Sequence, residues 1–335
     1  MEMNKIILLA EDNTPAWDFS KKIQNYILKK YHDHNFVTFP IDINPFRNKE
    51  FLPHVAENMR RADVYYVQSS NKDPAKWWVE LLLMKDLCLS SSVNSLSYVL
   101  PNMNWSRQDR KDKSRVPISA RALAKSLFSR KTERIITMDM HSPQIQGFYD
   151  ESVPIDNLYS FPTVVEYLRK NHYSDLENLV IVSPDAGGVQ RGMAFVKRMQ
   201  EANLSDSLKH NYDFAFTHKF RKKPGQIDKM WFVGNVNEKD VLILDDICDS
   251  GGTLIESKNK LKENGAKKTL AYSTHGLFTE GTECIIKNFD VFMTSNTHYV
   301  PKEGDEKIEV IDMTPAFAEA IYRAQKGISI SEMFD

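Results

Sequence analysis

The sequence predicts an α/β protein of two domains, each a mainly parallel sheet flanked by helices. Three observations predict it. Short apolar runs alternate with longer amphipathic stretches, as strand–helix units require. Residues 241–243 (Val-Leu-Ile) are apolar at every position, the pattern of a strand covered on both faces. A length of 335 residues exceeds one comfortable hydrophobic core.

In chain order, strands are expected at 6–9, 64–67, 96–100 and 134–138, with helices at 19–30, 74–89 and 119–128 between them. The rhythm then restarts. Helices are expected at 162–170, 191–201 and 253–264, and strands at 180–183, 214–218, 230–234, 241–244, 269–273 and 290–294. A last helix over 315–325 ends at Gly327. Pro154 and Asp156-Asn157 interrupt the periodicity, so the domains are expected as 1–154 and 155–335, with the C-terminal segment packing back on the first domain. No residue-level repeat links the two halves.

Composition narrows the class. Hydrophobic residues make up 41% and charged residues 27%, ordinary for a globular protein. A formal net charge of -1 provides no global field for nucleic acid or an anionic membrane, so neither is expected as a partner. Cys88, Cys248 and Cys284 form no CxxC pair, which argues against a disulfide framework or structural zinc and for reduced thiols in the cytoplasm. The first apolar run soon meets Glu11 and Asp12, too short and too acidic for a signal peptide or membrane span.

The strongest chemical signal is Val-Leu-Ile-Leu-Asp-Asp-Ile-Cys-Asp-Ser-Gly-Gly-Thr over 241–253. A buried strand delivers Asp245 and Asp246 to its carboxyl end, where open α/β sheets bind ligands. Gly251 and Gly252 let backbone N–H groups approach an anion, and the following helix N-terminus adds positive potential. Asp249, Ser250 and Thr253 supply further polar groups. The set suits a sugar phosphate: amides for the phosphate, carboxylates for ribose hydroxyls or their Mg²⁺. A plain helix cap by Ser250 or Asp249 is the structural alternative, and it leaves the paired acids unexplained.

This string resembles the phosphoribosyl diphosphate signature of the phosphoribosyltransferase superfamily. Residues 107–120, Arg-Gln-Asp-Arg-Lys-Asp-Lys-Ser-Arg-Val-Pro-Ile-Ser-Ala, are by spacing alone equally a solvated basic loop. They are very similar to the ATP-site loop of the ribose-phosphate pyrophosphokinases. Thr137-Met-Asp-Met-His-Ser-Pro over 137–143, Ile-Val-Ser-Pro-Asp-Ala-Gly-Gly over 181–188 and Thr-His-Lys-Phe-Arg-Lys-Lys over 217–223 match that family in the same order. The similarity runs from about Phe46 to the C-terminal helix and is greatest to the phosphate-activated, hexamer-forming class.

The resemblance implies two phosphoribosyltransferase-like domains and transfer of the β,γ-diphosphate of ATP to the 1-hydroxyl of ribose 5-phosphate. It implies Lys219 and Arg221 as catalytic residues that stabilise charge on the transferring group. Nucleotide contacts fall to Arg107, Gln108, Asp109 and His141, and to Phe46, Asn48 and Glu50 on a turn that reaches a neighbouring subunit. Ribose 5-phosphate falls to Asp245, Asp246, Asp249, Ser250, Gly251, Gly252 and Thr253, and the diphosphate to Asp185, Ala186, Gly187 and Gly188. Mg²⁺ is implied at His141 and Asp185, although Mg²⁺ prefers oxygen ligands and His141 serves equally as a donor to phosphate. The implied assembly is a homo-oligomer, a dimer at minimum and a hexamer by class.

The chain also departs from the family. Pro143 stands near a usual serine of the regulatory phosphate neighbourhood, and proline offers no donor there. Met103-Asn104-Trp105-Ser106 replaces an aromatic-proline-tyrosine run, 71–78 is shorter or rearranged, and roughly the first forty residues match poorly. Two rival readings are a phosphoribosyltransferase, which would not need 107–120 or Lys219 and Arg221, and a non-catalytic regulatory subunit, which would have its catalytic segments disrupted. No GxxxxGK[ST] and no GxGxxG occurs, which disfavours P-loop and protein kinases.

Overall fold

A computed structural model describes residues 5–172, 178–203, 212–220 and 229–334. The chain forms two compact units, Met1–Tyr159 with Met313–Asp335, and Ser160–Asp312. Each unit holds one seven-stranded sheet and its own hydrophobic core.

In the first unit the order is β1 (Ile6–Glu11), α1 (Pro15–Tyr31), β2 (Phe36–Pro45), β3 (Phe51–His54), β4 (Asp63–Val67), α2 (Pro74–Ser90), β5 (Ser95–Leu100), α3 (Ser119–Leu127), β6 (Thr132–Met138) and β7 (Ile155–Leu158). The sheet runs β3-β2-β1-β4-β5-β6-β7, with β3 antiparallel to β2 and all other pairs parallel.

The second unit contains α4 (Phe161–Asn171), β8 (Leu179–Ser183), α5 (Val189–Asn203), β9 (Asp213–Phe220), β10 (Lys229–Val233), β11 (Asp240–Cys248), α6 (Gly252–Glu263), β12 (Thr269–Gly276), α7 (Glu283–Asn288), β13 (Val291–Ser295) and β14 (Ile308–Ile311). Its sheet runs β10-β9-β8-β11-β12-β13-β14, with only β10 antiparallel to its neighbour. Gly234 permits the β9–β10 approach. Its φ is +128°, and a Cβ there would lie 2.5 Å from that of Ala215.

The chain then returns to the first unit as α8 (Thr314–Lys326), which packs on α1. Tyr322 stacks on Tyr31 with centroids 3.6 Å apart, Phe317 meets Phe19 edge-on, and Lys30 and Lys326 pair with Glu319 and Asp33. Gly327, at φ 65°, ends this helix in the left-handed conformation its position predicts.

The expected strands and helices form, and four unexpected strands join them. β2 carries Pro40 and Pro45 and β3 carries Pro53, residues that argue against a strand when read locally. β7 and β14 have four residues each and lie at sheet edges, where little apolar patterning is required. The interruption at Pro154 and Asp156-Asn157 is therefore β7 itself, paired with β6. The division between units falls after Tyr159, beyond the expected 154/155 boundary.

Candidate active site

The second sheet places β9 on one side of β8 and β11 on the other. Loops leaving β8 and β11 thus diverge at their carboxyl ends, the switch point where doubly wound sheets open a ligand crevice.

One wall is the β11–α6 turn. β11 runs beyond its expected end to Cys248, held by pairing of Ile247 with His275 and of Cys248 with Gly276. Asp245 and Asp246 sit inside this strand segment. Gly251 takes the cap position of α6 at φ 81°, so neither Ser250 nor Asp249 caps the helix. A Cβ at Gly251 would also run into Ile285 Cδ1. The cap thus brings no carboxylate or hydroxyl of its own to the first-turn amides, the arrangement an anion site needs. Asp249 is set by Thr279, whose Oγ1 donates to Asp249 Oδ1 at 2.5 Å.

The other wall is the β8–α5 loop. Asp185 Oδ1 accepts from the Gly188 amide at 2.9 Å, and the Ser183 hydroxyl donates to the Asp185 carbonyl at 2.7 Å. The Gly188 N–H is therefore already engaged by the loop's own carboxylate. A Cβ at Gly188 would stand 2.6 Å from Ser183 Oγ, which accounts for glycine there.

Arg191, in the first turn of α5, spans the two walls. Its Nη1 donates to Asp246 Oδ1 at 2.8 Å and lies 3.9 Å from Asp245 Oδ1. The Asp246 side chain is nearly buried, so this is a charge-assisted bond in a weakly screened place. Asp245, 18% exposed at its side chain, has its pKa raised well above the ordinary 3.8. Burial is the main cause, and the charge and hydrogen bond of Asp246 add to it while Arg191 opposes. Sequence reasoning missed Arg191. The available signal was an arginine three residues after an acid-glycine loop, in a chain with paired acids on a later strand.

β9 runs parallel to β8, so its carboxyl end reaches the same sheet edge, and the Lys219 backbone there pairs with Met230. The Lys219 side chain and Arg221 lie outside the described residues.

Comparison with known proteins places the chain in a family. A family described as the N-terminal domain of ribose phosphate pyrophosphokinase matches residues 12–130, and a phosphoribosyl synthetase-associated domain matches 202–335. Ribose-phosphate pyrophosphokinase 4 of Saccharomyces cerevisiae is 37% identical over 339 residues, covering 100% of this chain and 96% of the yeast protein. The chain belongs to the ribose-phosphate pyrophosphokinase family. A crystal structure of phosphoribosylpyrophosphate synthetase from Mycobacterium smegmatis shares the fold with a TM-score of 0.81 at 26% identity, over 97% of this chain and 100% of that one.

The first unit of this ribose-phosphate pyrophosphokinase family member gathers its predicted residues at the carboxyl edge of its own sheet. Phe46, Asn48 and Glu50 form the tip of the β2–β3 hairpin. Phe46 N–H bonds to the Glu50 carbonyl at 2.7 Å, Asn48 Nδ2 donates to Glu50 Oε2 at 2.8 Å, and Phe46 is 54% exposed. Arg107, Gln108 and Asp109 follow β5. The Ser119 hydroxyl donates to Gln108 Oε1, so that side chain is held within its own loop. Trp105 ties the loop base to α2, donating from Nε1 to the Pro74 carbonyl at 3.2 Å and meeting Trp78 edge-on. His141 follows β6 on the exposed surface, two residues after Asp139, which is buried with φ 40°.

Among the described residues, no three His, Cys, Asp or Glu side chains gather into a metal cage. The Asp185 carboxylate, an oxygen donor of the kind Mg²⁺ prefers, is engaged through Oδ1 by the Gly188 amide. No helix of the described residues is long and apolar enough to cross a membrane.

Proposed function

We propose that this chain is a ribose-phosphate diphosphokinase, moving the β,γ-diphosphate of ATP to the 1-hydroxyl of ribose 5-phosphate to give phosphoribosyl diphosphate and AMP. The observation that carries the reading is the switch-point placement of the Asp185–Gly188 loop and the Asp245–Thr253 turn on adjacent strands, bridged by Arg191, in a chain of this family.

Ribose 5-phosphate binds with its phosphate on the amides and hydroxyls of Ser250, Gly251, Gly252 and Thr253. Asp245 and Asp246 take the ribose hydroxyls, with Arg191 fixing Asp246. The diphosphate lies against Asp185–Gly188; Asp185 would hold the Mg²⁺ that accompanies ATP, which would supply charge neutralisation, with His141 as a phosphate donor. Arg107, Gln108 and Asp109 hold the nucleotide, and Lys219 and Arg221 stabilise charge spreading over the transferring group. The exposed Phe46 on its braced hairpin suits contact with another subunit, consistent with a homo-oligomer. A cytoplasmic setting accords with the supply of both substrates.

The test is incubation of the protein with ATP, Mg²⁺ and ribose 5-phosphate, with and without inorganic phosphate, following AMP and phosphoribosyl diphosphate by chromatography. Equimolar AMP and phosphoribosyl diphosphate are expected, with Lys219→Ala slowing turnover by about 10²–10³-fold. No AMP under either condition would move the assignment to a regulatory subunit.

A further inference from the structure

Thr217 is fully buried in β9, two residues before Lys219. Its Oγ1 lies 3.0 Å from the Pro184 carbonyl and 3.1 Å from Ser257 Oγ, and Ser257 is fully buried as well. One hydroxyl proton therefore serves two acceptors. The three atoms belong to three segments of the candidate site. Thr217 lies on the strand that leads into Lys219, Pro184 opens the loop of Asp185–Gly188, and Ser257 is on α6, whose N-terminus forms the phosphate turn.

Packing alone does not explain threonine here. A buried strand position favours valine, which has the same shape and no polar atom to desolvate. A hydroxyl in such a place adds stability only through the bonds it makes, and these bonds run between the substrate-binding segments. The Pro184 carbonyl, in turn, would lose this donor without Thr217.

We propose that the Thr217 hydroxyl is a positioning residue that locks the strand carrying Lys219 to the diphosphate loop and to the phosphate helix. It touches no substrate. Its role is to hold three separately encoded segments at one spacing, where displacements near 1 Å cost about 10²-fold in rate. The inference rests on the diphosphoryl-transfer reading and concerns a pair of side chains to which that reading assigns no role.

The experiment compares wild type, Thr217→Val and Thr217→Ser in the ATP and ribose 5-phosphate assay, with amide hydrogen exchange of residues 185–188 measured on the unliganded proteins. For the valine variant, kcat is expected to fall about tenfold or more. KM for ribose 5-phosphate should stay within about threefold, because α6 is also anchored in the core by Leu254 and Leu261. Exchange at 185–188 should quicken in the valine variant, and the serine variant should restore both readouts. Wild-type kcat and exchange in Thr217→Val would overturn the proposal, as would equal losses in the serine and valine variants, which would make the methyl group the essential part. Should Thr217→Val fail to fold, Thr217→Ala set against Thr217→Ser gives the same comparison. If wild type itself makes no phosphoribosyl diphosphate, the reaction assignment fails, while the exchange measurement still decides whether the hydroxyl holds the loop.

Discussion

The two units share one topology and treat its switch point in opposite ways. Each sheet grows from its first strand outward to an antiparallel edge on one side, and through its fourth to seventh strands on the other. In the second unit, glycines and acids line the loops at the switch point, and the helix there starts at Gly251 without a side-chain cap. In the first unit the same place, between β1 and β4, is filled by the chain's own charges. Lys72 Nζ lies 2.6 Å from both Glu11 Oε2 and Glu80 Oε2, and Gln68 donates to Glu80 at 2.8 Å. The following helix, α2, is capped by Asp73, whose Oδ1 accepts from the Ala75 and Lys76 amides, both at 2.9 Å. A carboxylate from the chain thus occupies the position that a phosphate would take. The lesson is that this topology can offer an anion crevice only where the loops leave it open, and among the described residues only the second unit's switch point has a helix start without a carboxylate cap.

The largest expected effects come from breaking the central ion pair at each switch point. Asp246→Ala removes the carboxylate 2.8 Å from Arg191 Nη1, and Lys72→Met leaves Glu11 and the nearly buried Glu80 without their shared cation. Both partner sites are mostly buried, so each substitution should destabilise its unit by about 3 kcal/mol, read from denaturant unfolding. Their kinetics should differ. Asp246→Ala should raise KM for ribose 5-phosphate by about tenfold or more, the equivalent of one charge-assisted bond lost together with its positioning. Lys72→Met should leave KM for ribose 5-phosphate within about twofold, since Lys72 pairs with Glu11 and Glu80 and with no residue assigned to that substrate. A large KM change in the Lys72 variant would mean that the first switch point also meets substrate, and the contrast would collapse.

How far the sequence revealed this depends on the range of the interactions. The Asp245–Thr253 turn was legible because strand, acids, glycines and helix start are contiguous, and the chemistry of an anion site is written in that order. The basic loop at 107–120 was ambiguous by spacing and became interpretable only through resemblance. Arg191 was not legible as a site residue, because its partner Asp246 is 55 positions away and only the β8–β11 pairing brings them together. Thr217 and Ser257, 40 positions apart, were hidden for the same reason. The strands β2 and β3 were obscured by prolines that local rules penalise and that sheet pairing tolerates, as the register of Pro40 against Ala10 demonstrates.

A smaller effect separates stability from function within the open site. Folding raises the Asp245 pKa above the ordinary value of 3.8, chiefly by burial and then by the adjacent Asp246. The folded protein then holds a proton that the unfolded chain has released, so stability falls as pH rises from 3.8 to the raised pKa and levels off above it. Asp245→Asn removes that dependence. The variant should unfold at a higher temperature than wild type at pH 7, with the gap closing as pH falls toward 3.8, and it should bind ribose 5-phosphate more weakly. A thermal shift series across pH checks the sign. Equal melting temperatures at pH 7 would mean that Arg191 already offsets the burial of the charge.

The smallest effect reopens the closed site. Asp73→Ala removes an exposed N-cap and should cost about 1 kcal/mol of unfolding free energy. It also exposes the Ala75 and Lys76 amides at the start of α2, where Pro74 at the first turn has no N–H to offer. A helix start so uncapped attracts an oxyanion. Sulfate should therefore raise the melting temperature of Asp73→Ala more than that of wild type, in which the second unit alone responds. The difference between the two sulfate titrations isolates the first unit. If the titrations are parallel, the Lys72 network rather than the Asp73 cap is what keeps anions out, because Glu11 and Glu80 would still repel them with Asp73 gone.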